Sequence, residues 1–206
     1  SNLLDQALNS LHKLGGAPHP PDYIIIFRQG GNHVQNLRYA ENEIPAFLDN
    51  INKKKEKFES FKKYTKLIYI CCNLKGDLKF FEENRNNANN RYSNPQSGLC
   101  VDEKIVETGK YEFYLQPQFV NQGTATPCHY EVLYQDIDEK NSENNLSIEE
   151  LENLSFQLSY YYWTWSGAVR VPGVLKLSTT AIDFYSRCLN HRIELEGKKF
   201  RTPGFI

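Results

Sequence analysis

Two short runs constrain this chain more than anything else in it: YIIIFR at Tyr23–Arg28 and LIYICCN at Leu67–Asn73. Both are almost continuously apolar and rich in β-branched or aromatic residues, the composition of strands buried on both faces. A helical pattern separates them. Phe47, Leu48, Ile51, Phe58 and Phe61 share the inner face of a helix predicted over Ile44–Phe61, with the Lys53–Lys57 run outside. Strand, helix and strand in this order imply a right-handed crossover and a parallel pair at the heart of a sheet, hence an α/β class. The lysine run suits a solvated helix face first and a polyanion contact second.

The remaining pattern adds helices and antiparallel strands. Leu4, Ala7, Leu8, Leu11 and Leu14 recur at helical spacing before Gly15-Gly16, which predicts an amphipathic first helix. Glu83–Gln96 crowds Asn84, Asn86, Asn87, Asn89, Asn90 and Asn94 together and reads as a long exposed loop. Tyr111–Gln116 and Gln122–Gln135 read as two more strands, joined antiparallel across a loop of about five residues. Ser147-x-x-Glu150 is a capping box opening a helix whose Leu151, Leu154, Leu158, Tyr161 and Trp165 share a face and which Gly167 ends. Val169–Pro172 forms an extended link, Leu175–His191 a last helix, and the tail KKFRTPGFI is expected to dock through its apolar end.

Composition excludes several classes of function. The net charge is −1 over 206 residues, so a polyanion would need a local cluster, and nothing global draws the chain to nucleic acid or anionic membrane. Hydrophobic residues make up 40%, and 13 Tyr with 12 Phe suffice for a packed interior rather than a disordered chain. The five cysteines, Cys71, Cys72, Cys100, Cys128 and Cys188, form no C-x-x-C pair, which points to a reducing, intracellular compartment and away from zinc. No apolar run of about 18 residues predicts a membrane span. The chain lacks Met altogether and reads as part of a longer product.

Catalytic signatures are equally sparse. There is no phosphate-cradling glycine loop, H-E-x-x-H or G-x-S-x-G; Gly30-Gly31 opens like a dinucleotide loop but lacks its third glycine and distal acid. His129, entering the run HYEVLY, is either a catalytic candidate or a satisfied strand histidine. Its neighbour Cys128 points to the opposite face of a strand and cannot form a thiolate–imidazole pair with it. The residues alone describe a mixed α/β domain without a self-sufficient active site.

Five ordered blocks carry a resemblance: YIIIFRQGG, LIYICCNLKGDLKFF, SGLCVDEKIVETGKYEFYLQPQ, QGTATPCHYEVLYQD and YYWTWSGAVRVP. In order and spacing they resemble the second half of an Argonaute-family PIWI domain, and the W-x-G-x-x-R-V-P at Trp165–Pro172 is closer to the Piwi branch. The resemblance implies an RNase H-like mixed sheet flanked by helices. Residues 1–206 would be the C-terminal part of that domain, with its first half and the MID, PAZ and N domains outside this chain. Active relatives cut a target strand with paired divalent cations, held in part by an Asp directly after the central strand and by a later His. Those positions here are Gln29, in Arg28-Gln29-Gly30, and Thr179. A neutral amide and a hydroxyl are poor substitutes for a carboxylate and an imidazole around Mg²⁺. Asp22 lies seven residues upstream on an extended strand, too far to replace Gln29. Loss of slicing is therefore expected.

The resemblance also implies guide-RNA contacts at Lys75 and Lys79, at Gln122 and Thr124, at Arg170 and Lys176, and at the C-terminal Ile206. Cations and turn amides there would position phosphates without reading sequence. Thr126 and Thr164 stand where Argonautes carry arginines. In this reading His129 belongs to the sheet and is distinct from the metal-binding histidine. No cofactor is expected, Mg²⁺ entering only with retained slicing or with a guide 5′ phosphate. The expected partners are a small guide RNA, its complementary target and proteins of a small-RNA pathway, in cytoplasm or nucleus, without a membrane. An active guided endoribonuclease and a scaffold that has lost RNA binding are the alternatives.

Overall fold

The computed structural model describes Gln6 and residues 21–57, 65–83, 92–106, 109–138 and 145–189. In chain order they form β1 (Tyr23–Gln29), α1 (His33–Lys57), β2 (Lys66–Asn73), β3 (Glu82–Glu83), β4 (Tyr92–Ser93), β5 (Leu99–Val101), β6 (Glu112–Gln116), β7 (Cys128–Gln135), α2 (Ile148–Leu158) and α3 (Gly173–Leu189). Five strands make one mixed sheet in the order β1-β2-β7-β6-β5, with β1 and β2 parallel and the other neighbours antiparallel. The expected class, an α/β mixed sheet flanked by helices, is what forms.

Strand alternation builds the layers. Along β2, Ile68, Ile70 and Cys72 turn to one face and Leu67, Tyr69 and Cys71 to the other, all at 0% exposure. The first set packs with Phe113, Leu115, Cys128 and Tyr130 beneath Leu151 of α2 and Leu175 of α3. The second packs beneath Ile44 and Ile51 of α1. Burying each such side chain contributes about 1.5–3 kcal/mol, which makes β2 the axis of both half-cores. Burial also pushes the Cys71 thiol up to about 12, so it behaves as a small hydrophobe.

Several boundaries depart from expectation. The parallel pair is real, but β1 is the sheet's outer strand among the described residues and is half-buried. Full burial of both faces holds for β2 alone. Helix α1 starts at His33, well before Ile44, because Asn32 caps it: the Gln35 amide donates to Asn32 Oδ1 at 2.9 Å. Pro45, the kind of residue that favours a helix start, lies inside it. Strand β7 begins at Cys128, so residues 117–127 form a much longer connection than expected. Gly123 sits there at φ +82°, the left-handed turn its sequence suggested.

The capping box at Ser147 forms, with its amide donating to Glu150 at 2.8 Å and the Glu150 amide to Ser147 Oγ at 3.2 Å. Helix α2 then stops at Leu158 instead of Gly167. The amides of Tyr160 and Tyr161 turn back to Gln157 and Leu158, and the Val169 amide closes the excursion onto Ser159 O at 2.9 Å. Tyr161 and Trp165 are therefore exposed, at 69% and 61%, rather than on a buried helix face. At the start of α3, a Cβ on Gly173 would lie 2.2 Å from Tyr161 O, so only glycine lets the helix begin against that turn. The predicted first helix, residues 84–91 of the Asn-rich loop, the end of the last helix and the tail with Ile206 lie outside the described residues.

Candidate nucleic-acid interface and an adjoining cleft

Three connections carry most of the expected RNA contacts, and the structure knots them together. Arg170 donates from one guanidinium nitrogen to Leu74 O at 2.7 Å and to Pro127 O at 3.0 Å. It thereby ties the segment before α3 to the loop after β2 and to the loop before β7. Lys79 donates to the Thr126 hydroxyl, and Gln118 Nε2 to Ala168 O at 3.1 Å. Asn94 fixes the turn that presents Gln122 and Thr124. Its amide donates to Val120 O at 2.9 Å and Gly123 O at 2.8 Å, and its oxygen accepts from the Ala125 amide at 2.9 Å. Gln122, Thr124 and Lys176 are exposed on this knot, whereas Arg170 is half-buried and already bonded to carbonyls. From sequence Asn94 was only one of a crowded run of loop asparagines, because its partners lie far along the chain.

The two positions expected to hold metal are differently placed. Gln29 is exposed at the end of β1, in register with Cys72. Thr179 lies on α3, its hydroxyl donating to Lys176 O of its own helix at 2.9 Å. Helix α3 packs beside β1, so the two stand on neighbouring elements. Neither supplies an anion or an imidazole, and among the described residues no group of three or more His, Cys, Asp or Glu side chains is arranged to hold a metal ion. These residues do not suit a pair of hard divalent cations, which require several anionic oxygens.

His129 is a satisfied strand histidine. Its Nε2 meets Glu112 Oε2 at 3.0 Å, its Nδ1 lies 3.4 Å from Asn73 Nδ2, and its ring stacks on Tyr114 at 4.4 Å. Cys128 faces the other side of the sheet, within the α2–α3 core, as strand alternation requires. Beside His129, Glu131 Oε2 accepts from Asn36 Nδ2 at 2.6 Å, and Asn36 Oδ1 in turn accepts from the Gly31 amide at 3.2 Å. These groups line a cleft of about 320 Å³ together with His33, Lys75, Asp77 and Lys110. Glu112, Glu131 and Asn36 were not singled out from sequence; their meeting depends on the β6–β7 register and on where α1 begins.

A mixed sheet with a parallel pair at one side, antiparallel strands at the other and helices on both faces defines an RNase H-like domain. The Piwi domain family profile matches residues 2–185, and the chain belongs to that family. It is 31% identical to Piwi-like protein 1 of Schmidtea mediterranea over 155 residues, covering 74% of this chain and 18% of that protein. Against protein piwi of Drosophila melanogaster the identity is 31% over 154 residues, covering 75% of this chain and 16% of the relative. The chain thus spans less than a fifth of these relatives. The crystal structure of Drosophila Piwi superposes with a TM-score of 0.74 at 25% identity, covering 89% of this chain and 23% of that one. Kluyveromyces polysporus Argonaute, solved with a guide RNA, gives a TM-score of 0.68 at 22% identity over 90% of this chain and 22% of its own.

Proposed function

We propose that this chain is the C-terminal part of the PIWI domain of a small-RNA-guided, RNA-binding protein that holds guide and target without cutting. The observation that carries the reading is Gln29, a neutral amide at the end of β1 where slicing would need a carboxylate. Thr179, its hydroxyl bonded within its own helix, adds to it. RNA binding is supported by the interlocked loops, which present Lys79, Gln122, Thr124 and Lys176 on one connected surface rooted by Arg170. Such cations and amides fit phosphates read by position. The half-buried β1, rich in Ile and outermost in the sheet among the described residues, supports a domain whose sheet continues beyond them. Free, buried Cys71, Cys72 and Cys128 support a reducing compartment, cytoplasm or nucleus. No helix among the described residues is long and apolar enough to cross a membrane.

The test is to purify the full-length protein and sequence the RNA that accompanies it, then load a guide and add a complementary target with Mg²⁺. A sharp small-RNA size class and an intact target are expected. Guided cleavage would overturn the slicing-deficient reading, and the absence of a small-RNA class would favour a scaffold that has lost RNA.

A further inference from the structure

Two stretches of the chain stand apart by their charge. Neither Phe113–Tyr130 nor Asn153–Ile182 holds an Asp or a Glu, in a chain with 25 of them. Gln118 Nε2, donating to Ala168 O at 3.1 Å, joins the two. The rings they expose include Phe119 at 63%, Tyr161 at 69% and Trp165 at 61%. Phosphate contacts give such rings no role, and large exposed aromatics mark a surface that meets a partner. The turn that carries two of them is fixed. The Tyr161 amide donates to Leu158 O at 3.1 Å and the Trp165 amide to Tyr162 O at 3.0 Å. Tyr160 meets Phe156 of α2 edge to face, with centroids 5.5 Å apart. A surface already ordered loses little entropy when a ligand settles on it. Cations border it on both sides. Hydrogen bonds with Thr164 and Thr180, and then the charge of Lys176, hold the Tyr162 phenol below its ordinary value, so Lys176 stands beside the turn. Lys79 donates to Thr126 in the other stretch. Rings bordered by lysines and free of acid suit a polyanion that carries flat bases. A protein partner would use the rings alone and leave the missing acids and both lysines without a role.

We propose that this corner is a stacking platform for single-stranded RNA, on which Phe119, Tyr161 and Trp165 take the faces of bases while Lys79 and Lys176 meet phosphates; this rests on the RNA-binding reading above. It adds to that reading that bases are held as well as phosphates. Stacking on aromatic side chains tolerates any sequence, because every base has a π face. A duplex keeps its bases stacked on one another and has none to offer the rings.

The full-length protein, freed of RNA, should be titrated with a labelled oligoadenylate, with an abasic strand of equal length and with a blunt RNA duplex. Tyr161→Ala and Trp165→Ala are each expected to weaken the oligoadenylate about tenfold, the loss of one stacked base. Trp165→Phe, which keeps a ring, should retain most of the affinity. Neither the abasic strand nor the duplex should distinguish these variants from the unsubstituted protein, which also shows that the variants fold. Lys176→Ala should weaken oligoadenylate and abasic strand alike and flatten the salt dependence of both. Oligoadenylate binding unchanged in Tyr161→Ala and Trp165→Ala, or an equal loss for the abasic strand, overturns the proposal. If the unsubstituted protein binds RNA in those cases, only the platform has failed, and the rings are left for a protein partner. If it binds neither single strand nor duplex, the RNA-binding reading has failed with it.

Discussion

The two faces of the central sheet use the same strands for different ends. Toward α2 and α3, β2, β6 and β7 present Ile68, Ile70, Cys72, Phe113, Leu115, Cys128 and Tyr130, a dry layer closed by Leu151, Val171 and Leu175. Toward α1 the same strands start apolar, with Leu67, Tyr69 and Cys71, and then turn polar at Asn73, Glu112, His129 and Glu131. The change comes where α1 ends as a cover, at Asn36. One face is organised for stability throughout; the other exchanges apolar burial for a bonded polar floor. A one-residue bulge in β7, where the register with β2 shifts between Tyr69 and Ile70, lets both sets keep their faces.

The sharpest way to break this contrast is on the dry face. Phe113 is fully buried and stacks on Tyr130 with centroids 4.6 Å apart and planes 5° from parallel. Phe113→Ala should cost about 3–5 kcal/mol, the transfer loss plus a cavity among rigid neighbours. Urea denaturation measures it. A loss below about 1 kcal/mol would mean that this face is looser than its burial indicates.

On the polar side the expected loss is smaller and of another kind. His129→Ala leaves the buried Glu112 carboxylate without its 3.0 Å partner. The cost should be about 1–3 kcal/mol, from the lost contact and the lost stacking of the ring on Tyr114. Adding Glu112→Gln to His129→Ala should recover part of that loss, since a neutral amide is cheaper to bury. Additive single-variant effects would show that the pair is not coupled. Beneath α1, Tyr69→Phe removes a hydroxyl that donates to Glu43 at 2.5 Å, where Arg28 also reaches the same carboxylate at 3.3 Å. About 1 kcal/mol should be lost, because Glu43 keeps its second partner.

How much of this was legible in the sequence follows the range of the forces involved. The β2 run, the Ser147–Glu150 cap and the opposite faces of Cys128 and His129 depend on neighbours within a few residues, and all form as read. The failures depend on distant partners. β1 has the composition of a central strand but lies at the outer edge of the described sheet, which no local pattern records. The aromatic run Tyr160–Trp165 matched a helical face, yet the bond from Val169 to Ser159 turns it outward. Gln29 and Thr179 could be picked out only by resemblance, as absences. The carboxylate floor could not be seen at all before the β6–β7 register was known. Arg170, expected at a phosphate, also ties two loops together, a role visible only once both carbonyls are placed.

The smallest effect concerns a part-buried acid on the dry side. Glu152, on α2, has its carboxyl pushed up by burial and by the nearby Asp102, while Cys100 helps to hold it. Burial first, and then the neighbouring Glu152, push the Cys100 thiol up to about 12. A carboxyl raised in the folded state binds its proton more tightly there than in the unfolded chain. Its contribution to stability is therefore greatest at low pH and is lost as pH rises from the ordinary glutamate value of about 4.3 through the folded one. Glu152→Gln removes that dependence. Because the side chain is only half-buried, water screens much of the penalty and the gain at neutral pH should be only about a few tenths of a kcal/mol. Urea midpoints for both proteins at about pH 5 and about pH 7.5 test it. The variant should lead at the higher pH, and the gap should narrow at the lower. A gap that widened on acidification would mean that Glu152 is held as an anion, so that even the α2 face carries a favourable charge.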